Sequence, residues 1–122
     1  MILKLQAGSA LNYVQKELRA KAGKAVALTF ENPDVMPHNW VLVRSGTEEK
    51  VGAAAALMVS MPDGADRHYV PDSPDVIVHT RLLDPGKSTT IYFTAPKEPG
   101  RYPYLCSFPG HAQLMRGVLV VE

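Results

Sequence analysis

Two consecutive stretches, Asp84-Pro85-Gly86-Lys87-Ser88-Thr89-Thr90-Ile91-Tyr92-Phe93 and Glu98-Pro99-Gly100-Arg101-Tyr102-Pro103-Tyr104-Leu105-Cys106, decide how this chain folds. Each opens on a Pro-Gly turn and runs straight into β-branched and aromatic residues, the pattern of strands joined by tight turns. Upstream, Val76-Ile77-Val78-His79 is entered from Pro74-Asp75, and Trp40 to Val43 is short and apolar. Ala25-Val26-Ala27-Leu28-Thr29-Phe30 follows Ala22-Gly23-Lys24 and stops at Asn32-Pro33; downstream, Gly117 to Val121 closes the chain. The exception is Thr47 to Met61, where Glu48-Glu49-Lys50 leads into an alanine-rich run of helix formers with acidic residues at its start. About seven strands, one short helix around residues 48–61 and no strand–helix alternation give an all-β, antiparallel-dominated sandwich.

The chain has 122 residues, enough for one domain spanning 1–122 with a real core. Thirteen basic residues against twelve acidic ones leave a formal charge of +1, so electrostatics offers no grip on nucleic acid or an anionic membrane. The longest apolar run, Val51 to Val59, is too short to span a bilayer. Met1-Ile2-Leu3-Lys4-Leu5 lacks the features of a secretory signal, and two readings stay open: a mature chain behind a start Met, or a domain cut from something larger. With a single cysteine, an intramolecular disulfide is impossible, and the thiol raises the question of reactivity or metal binding.

That cysteine opens Cys106-Ser107-Phe108-Pro109-Gly110-His111-Ala112-Gln113-Leu114-Met115. A thiolate, an imidazole and a thioether lie within one short segment, and Pro109-Gly110 forces it into a tight loop, so one ion can meet all three. A second imidazole comes from Met36-Pro37-His38-Asn39-Trp40, at the entry to a strand far upstream. Two imidazoles and a thiolate with a weak axial thioether form the ligand set of a blue-copper electron-transfer site. Soft sulfur favours Cu(I) and imidazole serves both states, so one copper ion held by His38, Cys106, His111 and Met115 is the expected cofactor.

Taken singly, each residue has a bland reading: a buried cysteine, a core methionine, a surface histidine. Their joint spacing around Pro-Gly outweighs those readings. Zinc sites rarely use a thioether, and a cysteine protease has no role for the Cys-His-Met loop. Leu105 and Ser107 flank Cys106 where multicopper oxidases place histidines, and four histidines are too few for a further cluster. The chain is therefore expected not to be an enzyme. Its alternatives are an electron-feeding domain of a larger redox enzyme and a copper delivery or storage protein.

On Cys106 to His111, Leu114-Met115-Arg116-Gly117, Met36 to Leu42 and Val76-Ile77-Val78-His79-Thr80-Arg81, the sequence resembles the cupredoxins, and within them the azurins and auracyanins. The resemblance covers nearly the whole chain. It implies a Greek-key β-sandwich with type 1 copper at one end, a helix in a flap at 47–61, redox partner proteins such as a cytochrome or oxidoreductase, a monomer, and an extracytoplasmic, usually periplasmic, setting. The azurin disulfide is ruled out by the cysteine count. Pro37 stands where azurins carry a glycine whose carbonyl approaches copper; a weak Pro37 carbonyl contact is an alternative to the four-ligand site favoured here.

Around the ligands, the amide of Asn39 is placed to brace the loop carrying Cys106. The azurin likeness implies that the backbone N–H groups of Asn39 and Phe108 donate to the Cys106 sulfur. Trp40 is read as core, needing a partner for its N–H if buried. Met36, Pro37, Phe108, Pro109 and Gly110 form an uncharged collar suited to brief docking of a redox partner. His68 and His79 are read as non-ligands.

Overall fold

The computed structural model describes residues 1–122 as two β-sheets with one helix laid on the outside. In chain order the strands are β1 (Ile2–Gln6), β2 (Glu17–Ala20), β3 (Ala25–Glu31), β4 (Val41–Val43), β5 (Val76–His79), β6 (Ser88–Thr94), β7 (Gly100–Leu105) and β8 (Arg116–Val121). Helix α1 (Glu48–Leu57) continues into a 3-10 turn, Met58–Ser60, between β4 and β5. One sheet has the order β1-β3-β6 and the other β2-β8-β7-β4-β5. The chain passes from one sheet to the other at every connection except β4 to β5 and β7 to β8, which gives the Greek-key sandwich.

Strand alternation explains the core. Val26, Leu28 and Phe30 of β3 turn inward, as do Leu18 and Ala20 of β2, Leu42 of β4, Tyr104 of β7 and Leu119 and Val121 of β8; all join one buried cluster that fills the space between the sheets. β4 is buried on both faces because the opposite side of the five-stranded sheet is also covered. There Val41, Val43 and Leu105 pack with Val51 of α1, Val70 and Ala112. The helix has a weak apolar face of its own, so this docking, rather than propensity, holds it in place. Pro103 marks where the β4–β7 ladder stops. β4 pairs with Leu105 and Tyr104 only, and proline offers no N–H to carry the ladder further.

The fold departs from the sequence reading at the N-terminus. β1 and β2 are both strands, paired in parallel with β3 and β8, whereas the other four pairings are antiparallel. Trp40 lies just before β4 and Cys106 just after β7. Trp40 is core, as expected, but its indole N–H is buried without a hydrogen-bond partner, enclosed by the rings of Phe93 and Tyr104 at 5.9 and 5.6 Å.

Candidate metal centre

The site is built at one end of the sandwich by two loops that meet across the core. His38 sits just before β4, tied to the loop ahead of β6 by paired backbone bonds with Leu83 (3.1 and 2.8 Å). Cys106 leaves β7, and the chain then turns through Gly110, whose φ of +88° suits glycine, to place His111. The turn is closed by Met115 and Leu114 N–H groups donating to the His111 carbonyl at 2.9 and 3.1 Å, and Cys106 N–H donates to the Met115 carbonyl at 3.1 Å. The short Cys106–Met115 segment thereby closes on itself.

These loops bring His38, Cys106 and His111 together with their donor atoms within 4.8 Å of one another, all three buried. Cys106 Sγ lies 3.8 Å from His38 Nδ1 and 3.7 Å from His111 Nδ1. Met115 is fully buried in the same cluster as Cys106. His68 and His79 stand apart from the group: the His68 carbonyl accepts from Asn39, and His79 Nδ1 faces the Thr80 carbonyl at 2.9 Å.

The neighbours of the three donors fix them. Asn39 Oδ1 accepts the Ser107 N–H at 2.8 Å, while Asn39 Nδ2 donates to Ser107 Oγ and to the His68 carbonyl, each at 2.9 Å. The amide therefore joins the His38 loop, the Cys106 loop and the flap. Burial pushes the Cys106 thiol up to about 11, and backbone N–H groups of Asn39 and Phe108 donating to the sulfur pull the other way. Burial, then the adjacent His38, holds the His111 imidazolium below its ordinary range. Of the expected collar, Met36 and Gly110 are exposed, Pro37, Phe108 and Pro109 half-buried, and the Phe108 ring lies 4.8 Å from the His111 ring.

Two contributors had no place in the sequence reading. Asp34 Oδ2 lies 2.8 Å from His38 Nε2, and the bond from His38 is the main cause holding the Asp34 carboxyl below the usual carboxylate range. Tyr13, buried between Phe30 and Tyr104, donates its hydroxyl to the Asn39 carbonyl at 2.6 Å. The only signal for Asp34 was a carboxylate four residues before a candidate ligand, a spacing with meaning on a helix but not in a loop between Pro33 and Pro37. Nothing local marked Tyr13.

The donor set fits copper. A trigonal plane with metal–nitrogen near 2.0 Å and metal–sulfur near 2.3 Å separates nitrogen from sulfur by about 3.7 Å, close to what the chain provides. With His38 Nε2 engaged by Asp34, its Nδ1 lone pair is left for the ion. The family model described as copper binding proteins, plastocyanin/azurin family, matches residues 1–122. The chain is 36% identical to auracyanin-A of Chloroflexus aurantiacus over 117 residues, covering 94% of this chain and 70% of that protein. It is 38% identical to auracyanin-B of the same organism over 120 residues, covering 94% of this chain but only 49% of the relative. The dithionite-reduced auracyanin of Roseiflexus castenholzii superposes with a TM-score of 0.86 at 33% identity, over 99% of this chain and 96% of that one. The family match runs over the whole chain, and the chain belongs to the plastocyanin/azurin family of copper-binding proteins.

Proposed function

We propose that this protein carries single electrons on one copper ion held by His38, Cys106, His111 and Met115, and that residues 1–122 act as one domain without enzymatic activity of their own. The observation that carries the reading is the near-equal placing of Cys106 Sγ against two Nδ1 atoms, 3.8 and 3.7 Å away, all on buried side chains. Copper bound there supplies a one-electron Cu(II)/Cu(I) couple. The protein's part is to keep the donors where they are in both states. Asn39 locks the two ligand loops to each other, and the closed Cys106–Met115 turn resists opening. Pro37 is left as a carbonyl neighbour of the site rather than a ligand.

His111 is the exit. The residue is 3% exposed, and its ring lies tilted by 50° beside that of Phe108, within the apolar collar of Met36, Pro37, Phe108, Pro109 and Gly110. Val35 and Leu114, carried by the same two loops, are also apolar and exposed. Such a surface suits short-lived docking by a redox partner protein, such as a cytochrome or oxidoreductase. No helix is long and apolar enough to cross a membrane. The family likeness supports an extracytoplasmic, periplasmic setting and a monomeric carrier.

The test is the absorption spectrum of the oxidised, copper-loaded protein. An intense blue thiolate-to-copper band is expected, and Cys106→Ser abolishes it. A colourless wild-type complex, or a mutant that stays blue, overturns the site. Reversible voltammetry separates an electron carrier from a copper delivery or storage protein, for which slow or irreversible cycling is expected.

A further inference from the structure

His38 and His111 are chemically the same ligand, yet the structure treats them differently. His38 is completely buried, and its Nε2 meets Asp34 Oδ2 at 2.8 Å, with only 9% of the Asp34 side chain exposed. His111 lies against the apolar collar, and its ring makes no such contact with a carboxylate. The Asp34 loop is built with care. Buried Asn32 accepts the Asp34 N–H through Oδ1 at 3.1 Å and donates through Nδ2 to the Met36 and Leu83 carbonyls at 2.8 and 2.9 Å. Leu83 is the residue that pairs with the His38 backbone. One asparagine therefore sets the carboxylate, the ligand and the strand entry in register.

We infer that Asp34 is a positioning residue that fixes His38 with its proton on Nε2 and, by placing a negative charge behind one ligand only, biases the copper centre toward its oxidised state. This inference rests on the copper reading of the site. A carboxylate accepting from the far nitrogen of a metal-bound imidazole selects the tautomer and makes the ring a stronger donor. Its charge also matters in a water-poor site, where charges interact strongly. A dipositive ion with one thiolate leaves one net positive charge, which Asp34 offsets. The monopositive ion with the same thiolate is already neutral, so Asp34 adds an uncompensated negative charge. The carboxylate therefore favours Cu(II) over Cu(I).

Asp34→Asn separates charge from geometry, because the amide oxygen still accepts from Nε2–H. It is expected to weaken Cu(II) binding relative to Cu(I) by about tenfold, read as a reduction potential about 59 mV higher for a one-electron couple. Asp34→Glu is expected to restore most of the wild-type value, and Asp34→Ala to raise the potential and speed copper loss. If Asp34 only shapes its loop, Asp34→Asn and Asp34→Ala lower the unfolding midpoint and leave the ratio of Cu(II) to Cu(I) affinity, read from the potential, within about twofold of wild type, which overturns the inference. A second readout does not depend on the variants folding: nitrogen NMR of the wild type, metal-free and Cu(I)-loaded, should show His38 protonated on Nε2, and protonation on Nδ1 in the metal-free protein overturns the inference. Absence of the blue band in the wild type defeats the copper reading; a blue wild type with an unmoved Asp34→Asn potential defeats this inference alone.

Discussion

Asn39 grips Ser107 with both ends of its amide, accepting the Ser107 N–H at 2.8 Å and donating to Ser107 Oγ at 2.9 Å. The pair spans 68 residues of sequence and stitches the loop bearing His38 to the loop bearing Cys106. Asn39→Ala leaves the buried Ser107 N–H and the half-buried His68 carbonyl without their partner. Each orphaned group costs about 1–3 kcal/mol, so a loss of about 2–6 kcal/mol is expected in urea unfolding of the metal-free protein. The His68 carbonyl matters because His68 and Tyr69 both hold positive φ, 57° and 56°, an unfavourable backbone for such residues that the Asn39 bond helps to retain. An unchanged midpoint would show that water replaces the amide.

Copper uptake should expel a proton from Cys106. Burial holds this thiol up to about 11, so it is protonated in the metal-free protein at neutral pH, whereas the ligand is the thiolate. Loading is expected to release one proton per ion from this residue, with affinity rising about tenfold per pH unit through the mildly alkaline range. Calorimetry in buffers of different ionisation enthalpy measures it. Uptake at about pH 8 with no proton release would remove Cys106 from the ligand set.

The sequence carried the local half of this centre and missed the half made by distant crossings. The closed loop from Cys106 to Met115 was readable because Pro109-Gly110 forces this short segment to fold back on itself, and backbone bonds close it in the structure. Asn39 was readable through adjacency to His38. Asp34 and Tyr13 were not, because their roles depend on where the β3–β4 loop and the N-terminal segment come to rest. The strands from Ala25 onward announced themselves between Gly and Pro turns. Glu17-Leu18-Arg19-Ala20 has only two inward-facing residues, and its parallel partner, β8, lies at the other end of the chain. A short amphipathic segment with a remote partner leaves no local trace.

Stability of the metal-free protein should fall on acidification in two stages. Burial depresses the His111 pKa below 6.5, so between the folded value and 6.5 the unfolded chain binds more protons, and stability rises with pH. That contribution is complete above 6.5 and is lost as pH falls from there. The bond from His38 lowers the Asp34 pKa below 3.8, so its contribution is complete above 3.8 and disappears as pH falls through the folded value. Urea midpoints at about pH 8, 5 and 3 should decline at each interval. His111→Phe is expected to flatten the first decline and Asp34→Asn the second; a midpoint that rises on acidification contradicts both assignments.

Tyr13 offers a test of how far the centre's support extends. Its hydroxyl donates to the Asn39 carbonyl at 2.6 Å from a fully buried position, and its ring packs edge-on against Tyr104 at 5.2 Å and Phe30 at 6.0 Å. Tyr13→Phe keeps the ring contacts and removes only the donor, leaving the Asn39 carbonyl in the core without it. A destabilisation of about 1–3 kcal/mol is expected in urea unfolding. The blue band should persist, since the Asn39 and Phe108 N–H groups that face the sulfur belong to the backbone and remain. Copper should nonetheless leave faster, because the loop carrying His38 has lost its tie to the N-terminal segment. Retained stability with unchanged copper loss would confine the support of the site to Asn39 and its partners.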